Sequence, residues 1–204
     1  MSFSSDFLNK CSAVLAELDS AQIETAAMLL SELKMREGRL FIIGSGGGAG
    51  HASHATCDFR KLCNIEAYAP YDNTPELTAR VNDDGWDSTL VNWLKVSRFS
   101  EKDCLLVFSV GGGSQERNIS PNLVNALRLA QSIGAVSIGI VGKNGGETAK
   151  IATVTILIPE KDEKLVTPLT EGVQAIVWHI LAAHPVLQAH EAKWESATKA
   201  NRKE

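Results

Sequence analysis

Several absences narrow the classes of protein that this 204-residue sequence can represent. No apolar run approaches the ~20 residues that a helix needs to cross a bilayer, so we expect no membrane partner. The four cysteines form no CxxC pair and the N-terminus carries no signal peptide. We therefore expect reduced thiols and a cytoplasmic location. Clustered Lys and Arg are missing and the net charge is −4, which argues against nucleic acid as a partner.

The signatures of nucleotide-binding loops are also weak or missing. No glycine turn is followed by GK[ST], so the chain has no Walker A loop. Gly44, Gly46 and Ala49 fit the GxGxxA dinucleotide fingerprint, which also needs an acidic residue at the end of the second strand. Glu66 lies at about the required 20-residue distance, but it falls at the start of that strand. Neither nucleotide interpretation is well supported.

What the sequence does contain, after residue 38, is an alternation of short apolar runs and helical patterns. The apolar runs predict strands at 40–43, 65–69, 104–109, 136–141 and 154–158. Helices are predicted after the first strand to residue 62, then at 74–98 with a break near 84–85, at 121–133 and at 167–190. Continuous apolar strands that alternate with helices predict a doubly wound, five-stranded parallel sheet of the α/β class. Ligands of such sheets bind outside the carboxyl ends of the strands.

The two ends of the chain show no clustered chemistry. Residues 3–36 predict two helices, with Ser20 as the N-cap of the second and Gly38 ending the pair. We expect residues 1–36 to form an N-terminal helical arm whose apolar faces serve oligomerisation. The rest is predicted to be one α/β core at 37–190 and a charged, solvated tail at 191–204.

Glycine-rich turns follow the first, third and fourth predicted strands, at 44–50, 111–113 and 142–146. Glycines let backbone N–H groups approach an anion, and the start of the next helix adds a partial positive charge. One such turn can be a plain connection between strand and helix. Three of them on one sheet edge favour a binding site for an anionic ligand.

The loop after the third strand is well suited to a phosphomonoester. Ser109, Ser114 and Ser120 offer hydroxyl groups around a predicted helix start, and Arg117 lies in the same loop. Ser120 and Pro121 have the positions of an N-cap and a first helical residue. Serines in a loop also serve as simple turn formers, which is the alternative interpretation.

Histidines and carboxylates on two predicted helices suggest a metal site. His54 and Asp58 are four residues apart on one helical face, together with His51 one turn earlier. Imidazole and carboxylate groups suit Zn²⁺ or a similar divalent ion, although an isolated pair of this kind is more often a surface interaction.

The last predicted helix offers Glu171, Gln174, His179 and His184. His179 sits in an apolar run, where a lone histidine is usually a core residue. Glu171 and His179 are eight residues apart, about 12 Å along a helix, so one ion can reach both only from between them, or if Glu171 belongs to an irregular first turn after Thr167 and Pro168. Gln174 is the alternative partner.

The segment GSGGGAGHASHATCD, residues 44–58, resembles the glycine turn and metal-binding helix of the sugar isomerase (SIS) domain family, specifically its phosphoheptose isomerase branch. Residues 77–83 resemble the family's LTA…ND stretch, and the resemblance extends from the N-terminal helices to His190. It implies a flavodoxin-like SIS fold, a homotetramer and a divalent metal, with zinc the first choice. It implies base and acid roles for Asp58 and His179, an active-site position for Asp83, metal binding for His54, Asp58, Glu171 and His179, and phosphate contacts for Ser109 and Ser120. From the residues themselves we add Glu171 as a candidate catalytic group and Ser45, Gly46, Gly47, Gly48, Asn82 and Ser114 as candidate substrate contacts.

The implied activity is an aldose–ketose isomerisation of a phosphorylated sugar, most simply sedoheptulose 7-phosphate to a heptose 7-phosphate, in carbohydrate metabolism such as lipopolysaccharide or nucleotide-heptose biosynthesis. The chain departs from the family where Asp58 replaces Glu and Glu171 replaces Gln, and its serine loop is longer. Because Asp58 is one methylene shorter, it can serve the metal alone and leave Glu171 as the base. The alternative is a non-catalytic SIS module that binds a phosphosugar or a partner protein for regulation. An imine mechanism needs a well-placed lysine, and near the first turn only Lys61 is available.

Overall fold

The computed structural model describes residues 2–193, in which five parallel strands form one sheet with helices on both faces. The strands are β1 Leu40–Gly44, β2 Ala67–Tyr68, β3 Cys104–Ser109, β4 Val136–Gly142 and β5 Val154–Ile158. The helices are α1 Phe3–Ala16, α2 Ser20–Met35, α3 Gly47–Cys63, α4 Thr74–Asp84, α5 Thr89–Val96, α6 Pro121–Ser132, α7 Gly146–Ile151 and α8 Val166–Ala182. The spatial order β2-β1-β3-β4-β5 confirms the predicted doubly wound sheet.

Alternate residues of the central strands face opposite helical layers. Ile42 and Leu106 pack into the layer formed by α2, α3 and α8, whereas Ile43 and Val107 pack against α5 and α6. Both faces of the strands are therefore buried, which explains their unbroken apolar sequences. The chain order reverses between β1 and β3, so the loops that follow these strands diverge there. A crevice at such a reversal is where doubly wound sheets bind ligands.

Several predicted boundaries are wrong, each for a local reason. β2 has two residues in place of the five predicted, because the chain turns into a 3₁₀ segment at Pro70. α8 ends at Ala182 rather than near His190, since Pro185 disfavours helical geometry just before it. The fourth strand, which ends in glycine, is followed by the short helix α7, which was not predicted.

Two predicted capping roles of serine also need correction. The N-cap of α2 is Asp19, whose side chain accepts a hydrogen bond from the Ala21 N–H at 2.9 Å. Ser20 is instead the first helical residue. Ser120 does occupy the N-cap position of α6, but it adopts a left-handed conformation with φ of 49° and makes no capping bond with its side chain.

The N-terminal helices pack on the core in different ways. In α2 the apolar residues Ala26, Ala27, Leu30 and Leu33 are fully buried within the chain. Their face is therefore not free for another subunit. In α1 the side chains of Phe3 and Leu8 remain mostly exposed. A role in oligomerisation stays a prediction, and it now rests on α1. Of the predicted tail at 191–204, residues 194–204 lie outside the described part of the chain.

By length and composition alone, Glu163–Ala182 is apolar enough to cross a membrane, with a mean hydropathy of 1.2. This differs from the expectation of no such stretch. Half of the segment is buried inside the protein, and Val173, Val177 and Leu181 belong to the core beneath the sheet. A single helix that packs in this way is weak support for a membrane span, because core helices meet the same criterion.

Candidate functional site

The site is built on α3 and α8, which run side by side in the same direction. Near their starts, the carboxyl group of Glu171 on α8 lies against Gly47 on α3. Near their ends, the Cys63 thiol donates to the Ala182 carbonyl at 3.3 Å. The groove between the two helices therefore begins at the carboxyl edge of the sheet and extends away from it.

Three side chains converge in this groove. The Nε2 atom of His54 lies 4.0 Å from Oδ2 of Asp58, and Nε2 of His179 lies 3.8 Å from the same oxygen. One ligand atom from each of the three lies within 4.8 Å of the others. The two histidine side chains are 61% and 53% exposed, while Asp58 is 17% exposed. We call this group the His–Asp–His triad; its donor atoms match the nitrogen and oxygen ligands that zinc-like ions take.

The His179 ring is oriented by a contact with its own helix. Its Nδ1 atom lies 2.6 Å from the Ala175 carbonyl oxygen. A carbonyl can only accept, so this contact places a proton on Nδ1; in the neutral ring Nε2 then carries the lone pair, on the side of Asp58. Trp178 stacks on His179 with ring centroids 3.5 Å apart, and it meets the His54 ring at 4.7 Å. The arrangement is typical of a histidine prepared to bind a metal.

The structure does not bring Glu171 or Gln174 into the triad. A Cβ atom placed on Gly47 would lie 2.5 to 2.7 Å from the Glu171 carboxyl atoms, so this carboxylate occupies the start of α3. Gln174 is fully buried, and its amide donates to the carbonyls of Ser109 and Ile140 at 3.1 and 2.8 Å. Gln174 is therefore not among the triad residues: its N–H groups bond to β3 and β4, and its Oε1 atom is buried without a hydrogen-bond partner among the described residues.

His51 lies one turn before His54, facing the end of β3. Its ring centroid is 5.7 Å from that of Phe108, and its Nε2 atom is buried without a hydrogen-bond partner among the described residues. Burial lowers the pKa of His51, while the backbone of Glu171 acts in the opposite direction. Sequence reasoning placed His51 on the same stripe but gave it no role. Its proximity to Glu171 depends on how α8 docks and has no sequence signal.

The first glycine turn is open. α3 starts without a side-chain cap, Ser45 is half-buried, and Gly46 and Gly47 are exposed. Because a helix start carries partial positive charge, the carboxylate of Glu171 is held electrostatically where it lies. The predicted contact residues Ser45 to Gly48 thus border the start of the groove.

The serine loop is largely folded on itself. The Ser109 hydroxyl accepts from the Gly112 N–H at 3.0 Å, and the Ser114 hydroxyl accepts from the Arg117 N–H at 3.3 Å. Ser114 and Ile119 form an antiparallel bridge, so the longer loop is a small hairpin. Two of the predicted hydroxyls therefore do shape turns, as the alternative interpretation stated. Each can still donate its own proton to a ligand.

At the third glycine turn, N–H groups at the start of the following helix already have hydrogen-bond partners. The N–H groups of Glu147 and Thr148, at the beginning of α7, donate to the carbonyls of Gly113 and Gly112 at 3.0 and 2.9 Å. The Thr148 hydroxyl also donates to the Gly112 carbonyl, at 2.8 Å. The inference from three glycine turns is corrected accordingly: the third turn binds the serine loop.

A cleft of about 860 Å³ opens on the β4–β5 side of the serine loop. Its wall includes Ser114, Arg117 and Lys143, together with the carboxylates of Glu160 and Glu163. The triad is not part of this wall. The predicted residues Asn82 and Asp83 are elsewhere again, at the exposed end of α4, where the Asn82 amide donates to Asp83 at 2.7 Å. Neither belongs to the triad.

The chain is similar to known proteins in both sequence and fold. No protein-family model matches the chain. The lincomycin biosynthesis protein LmbN of Streptomyces lincolnensis is 30% identical over 186 residues, 86% of this chain, and the chain spans 66% of that protein. The phosphoheptose isomerases of Aliarcobacter butzleri and Helicobacter pylori are 26% and 25% identical over 86% of this chain, which covers 87% and 90% of their lengths.

Solved structures share the fold. Phosphoheptose isomerase GmhA from Neisseria gonorrhoeae superposes with a TM-score of 0.77 at 21% identity, over 88% of this chain and 95% of its own. The Francisella tularensis phosphoheptose isomerase gives 0.75 at 18% identity, over 92% and 95%. The fold is thus that of a sugar isomerase domain. In sequence and in fold, the chain is similar to the phosphoheptose isomerase branch of the sugar isomerase (SIS) domain family.

Proposed function

We propose that the protein is an aldose–ketose isomerase of a phosphorylated sugar, with sedoheptulose 7-phosphate as substrate and a heptose 7-phosphate as product. The observation that carries this proposal is the His–Asp–His triad, two members of which lie on the helix that follows the first glycine turn. Its sequence relatives include several phosphoheptose isomerases, which supports the same activity. A cytoplasmic location and a place in heptose metabolism are part of the proposal.

The triad fits a divalent metal, and we take zinc as the first choice. His54, Asp58 and His179 would hold the ion, since the His179 Nδ1 contact leaves Nε2 free to bind. When bound, such an ion acts as a Lewis acid that polarises a sugar carbonyl. The predicted fourth ligand, Glu171, lies outside the triad and has a different role in the proposal.

Isomerisation moves a proton between C1 and C2, which needs a base at one carbon and a group that exchanges protons with the oxygens. Glu171 is the proposed base, because its carboxylate lies at the start of α3, beside the open turn at which the sugar is proposed to bind. The family resemblance instead gives the base to Asp58 and the acid to His179. The two assignments differ in whether Glu171 is needed once the metal is in place.

The remaining contacts follow from the loops at the sheet edge. The open turn at Ser45–Gly48 is proposed to hold sugar hydroxyls, and the hydroxyls of Ser109, Ser114 and Ser120 the phosphate, with Arg117 as the nearby cation. Hydroxyls that accept a loop N–H retain a proton to donate to phosphate. Asn82 and Asp83 lie on an exposed helix end, so we propose that they complete the site of a neighbouring subunit in a homotetramer.

A second candidate is a non-catalytic phosphosugar-binding module. The Vibrio vulnificus NanR protein complexed with ManNAc-6P shares the fold with a TM-score of 0.60, although it is 11% identical and the chain covers 57% of it. The sugar isomerase domain of an RpiR transcription factor also shares it, at 0.61. These likenesses concern the fold alone. The triad distinguishes the two candidates, because binding without chemistry does not need it.

The test is solvent exchange. Protein loaded with Zn²⁺ is incubated with sedoheptulose 7-phosphate in D₂O, and deuterium at C1 and C2 is followed by NMR. We expect deuterium incorporation and formation of an aldose. His179→Gln should abolish both, whereas His184→Gln is the matched control, because that ring contacts Glu24 away from the triad. Tight binding of the sugar without exchange would overturn the enzymatic proposal in favour of the binding module.

A further inference from the structure

One buried hydroxyl group holds the strand end from which the first glycine turn begins. The phenol of Tyr71 donates to the Gly44 carbonyl, and it accepts from the Gly44 N–H at 2.9 Å. Both polar backbone groups of the last residue of β1 are thus bonded to one side chain. The Tyr71 ring packs against the core layer of α2, α3 and α8.

This contact replaces backbone pairing that β2 is too short to provide. In a strand, residues two apart direct their backbone groups to the same side, so Leu40, Ile42 and Gly44 share one side. Leu40 uses that side to donate to Glu66, just before β2. The pairing of β1 with β2 ends at Phe41 and Tyr68, and the chain then leaves the sheet. If that register continued, residue 71 would lie opposite Gly44, and there the Tyr71 hydroxyl takes the place of the backbone groups of a longer β2.

We propose that Tyr71 is a positioning residue for the isomerase site: by fixing Gly44, it holds the open turn Ser45–Gly48 and the start of α3 in the orientation that the sugar requires. The inference rests on the proposed function, since it assigns Tyr71 a role in that site. Tyr71 itself does not belong to the triad or the glycine turn, and it acts through Gly44.

The chemistry of the phenol suits this role. Burial raises the pKa of Tyr71 to about 12, so the hydroxyl stays protonated and keeps its donor at neutral pH. A hydroxyl group is one of the few side-chain groups that can donate to a carbonyl and accept from an N–H at once. Phenylalanine would keep the ring packing but leave both groups of Gly44 unpaired.

The experiment compares two tyrosines that lose the same atom. Tyr71→Phe removes the hydroxyl from Gly44. Tyr68→Phe is the matched control, because the Tyr68 hydroxyl bonds to the Glu66 side chain at the surface, at 2.8 Å. For each variant, kcat and KM with sedoheptulose 7-phosphate, zinc content and amide hydrogen exchange of residues 44–48 are measured.

We expect Tyr71→Phe to lower kcat/KM by about tenfold, mainly through KM, and to speed exchange at residues 44–48 by a similar factor, because buried groups lose their partner. Zinc content should not change. Tyr68→Phe should stay within about twofold of the unaltered protein on every measure. A Tyr71→Phe variant that matches the control in both kinetics and exchange would overturn the proposal. So would a loss of activity that follows only the unfolded fraction.

Two outcomes separate this inference from the function on which it rests. If the unaltered protein has no isomerase activity, the proposed function fails, while exchange at residues 44–48 still decides whether Tyr71 fixes the turn. If Tyr71→Phe does not fold, the unaltered protein is used alone. Its Gly44 amide should then exchange as slowly as that of Ile42, and fast exchange at Gly44 overturns the inference.

Discussion

The glycine turns after β1 and β4 look alike in sequence and differ in what they hold. At the first, α3 starts without a side-chain cap and exposes Gly46 and Gly47 beside the Glu171 carboxylate. At the turn after β4, the N–H groups of Glu147 and Thr148 at the start of α7 are bonded to the carbonyls of Gly113 and Gly112. The same residue type lies beside a side-chain carboxylate in one place and forms a backbone-to-backbone joint in the other.

The difference teaches that a glycine-rich helix start binds an anion only if its N–H groups have no other partner. The partner of the turn at 142–146 comes from a loop more than thirty residues earlier in the chain. Its glycines are needed because two backbones meet there. The proposed chemistry therefore belongs to the first turn and its helix, and the joint at the later turn gives the serine loop its shape.

The largest expected effects lie at the first turn and its helix. Asp58→Asn should reduce isomerase activity by about a thousandfold or more and remove bound zinc, because the triad loses its anionic ligand. Glu171→Gln should reduce activity by a similar order but leave zinc bound, since Glu171 lies outside the triad. Kinetics and elemental analysis on both variants check this.

The pair of variants also decides between the two assignments of the base. Loss of zinc in Glu171→Gln would show that Glu171 is a fourth ligand, as the sequence resemblance implies. If both variants kept nearly full activity, the proposed mechanism would be wrong. Thermal unfolding serves as the control, because neither side chain is part of the buried core.

The next-largest effect is expected at the joint, where the backbone of residues 146–148 meets that of residues 111–113. In Gly146→Ala, the new Cβ would lie 2.4 Å from the carbonyl oxygens of Gly111 and Gly113, at a φ of 52°. Backbone atoms on both sides cannot move independently, so unfolding free energy should fall by about 3 kcal/mol or more. Gly46→Ala in the open turn has a similar φ of 58° with nothing within 4 Å, and should cost only about 1 kcal/mol. Denaturant unfolding measures both, and equal losses would contradict the contrast.

Most of the fold could be predicted because its strands carry their own signal. The strands at 104–109 and 154–158 have the predicted ends, since strands buried on both faces are continuous apolar runs. The pairing β2-β1-β3 follows from the doubly wound pattern. The bonding of Gly44 to Tyr71 could not be predicted, because that contact joins residues 27 apart.

The site could be predicted only in part. His54 and Asp58 are four residues apart on one helix, so their proximity follows from helical geometry, and the family resemblance adds His179. Glu171 was placed with them on the same basis, although a carboxylate eight residues from His179 lies about 12 Å away along the helix. Its position over Gly47 depends on the docking of α8 against α3, which no local pattern encodes.

A smaller effect is expected when a side-chain hydrogen bond of the joint is removed and its backbone is left unchanged. Thr148 is fully buried, and its hydroxyl donates to the Gly112 carbonyl at 2.8 Å. Thr148→Val keeps the shape and removes this bond, so unfolding free energy should fall by about 1–2 kcal/mol. Thr25→Val is the matched control, because its hydroxyl donates to Ala21 within an exposed turn of α2 and should change little. Identical losses in the two variants would mean that the joint does not depend on Thr148.

The smallest effect is a rise in unfolding free energy, and it is expected on α3, the helix that follows the first glycine turn. Gly50 is an exposed residue in the first turns of α3, and a Cβ atom there would meet nothing within 4 Å. Unlike Gly46, it has no positive φ, so its glycine is not required by the backbone. Gly50→Ala should therefore raise the unfolding free energy by about 0.5–1 kcal/mol, because alanine loses less conformational entropy in a helix. Denaturant unfolding tests the stability, and sugar-phosphate kinetics on the same protein test the site. Higher stability with a raised KM would mean that the sugar approaches Gly50 closely, whereas lower stability would show that the start of α3 is not the regular, open helix described above.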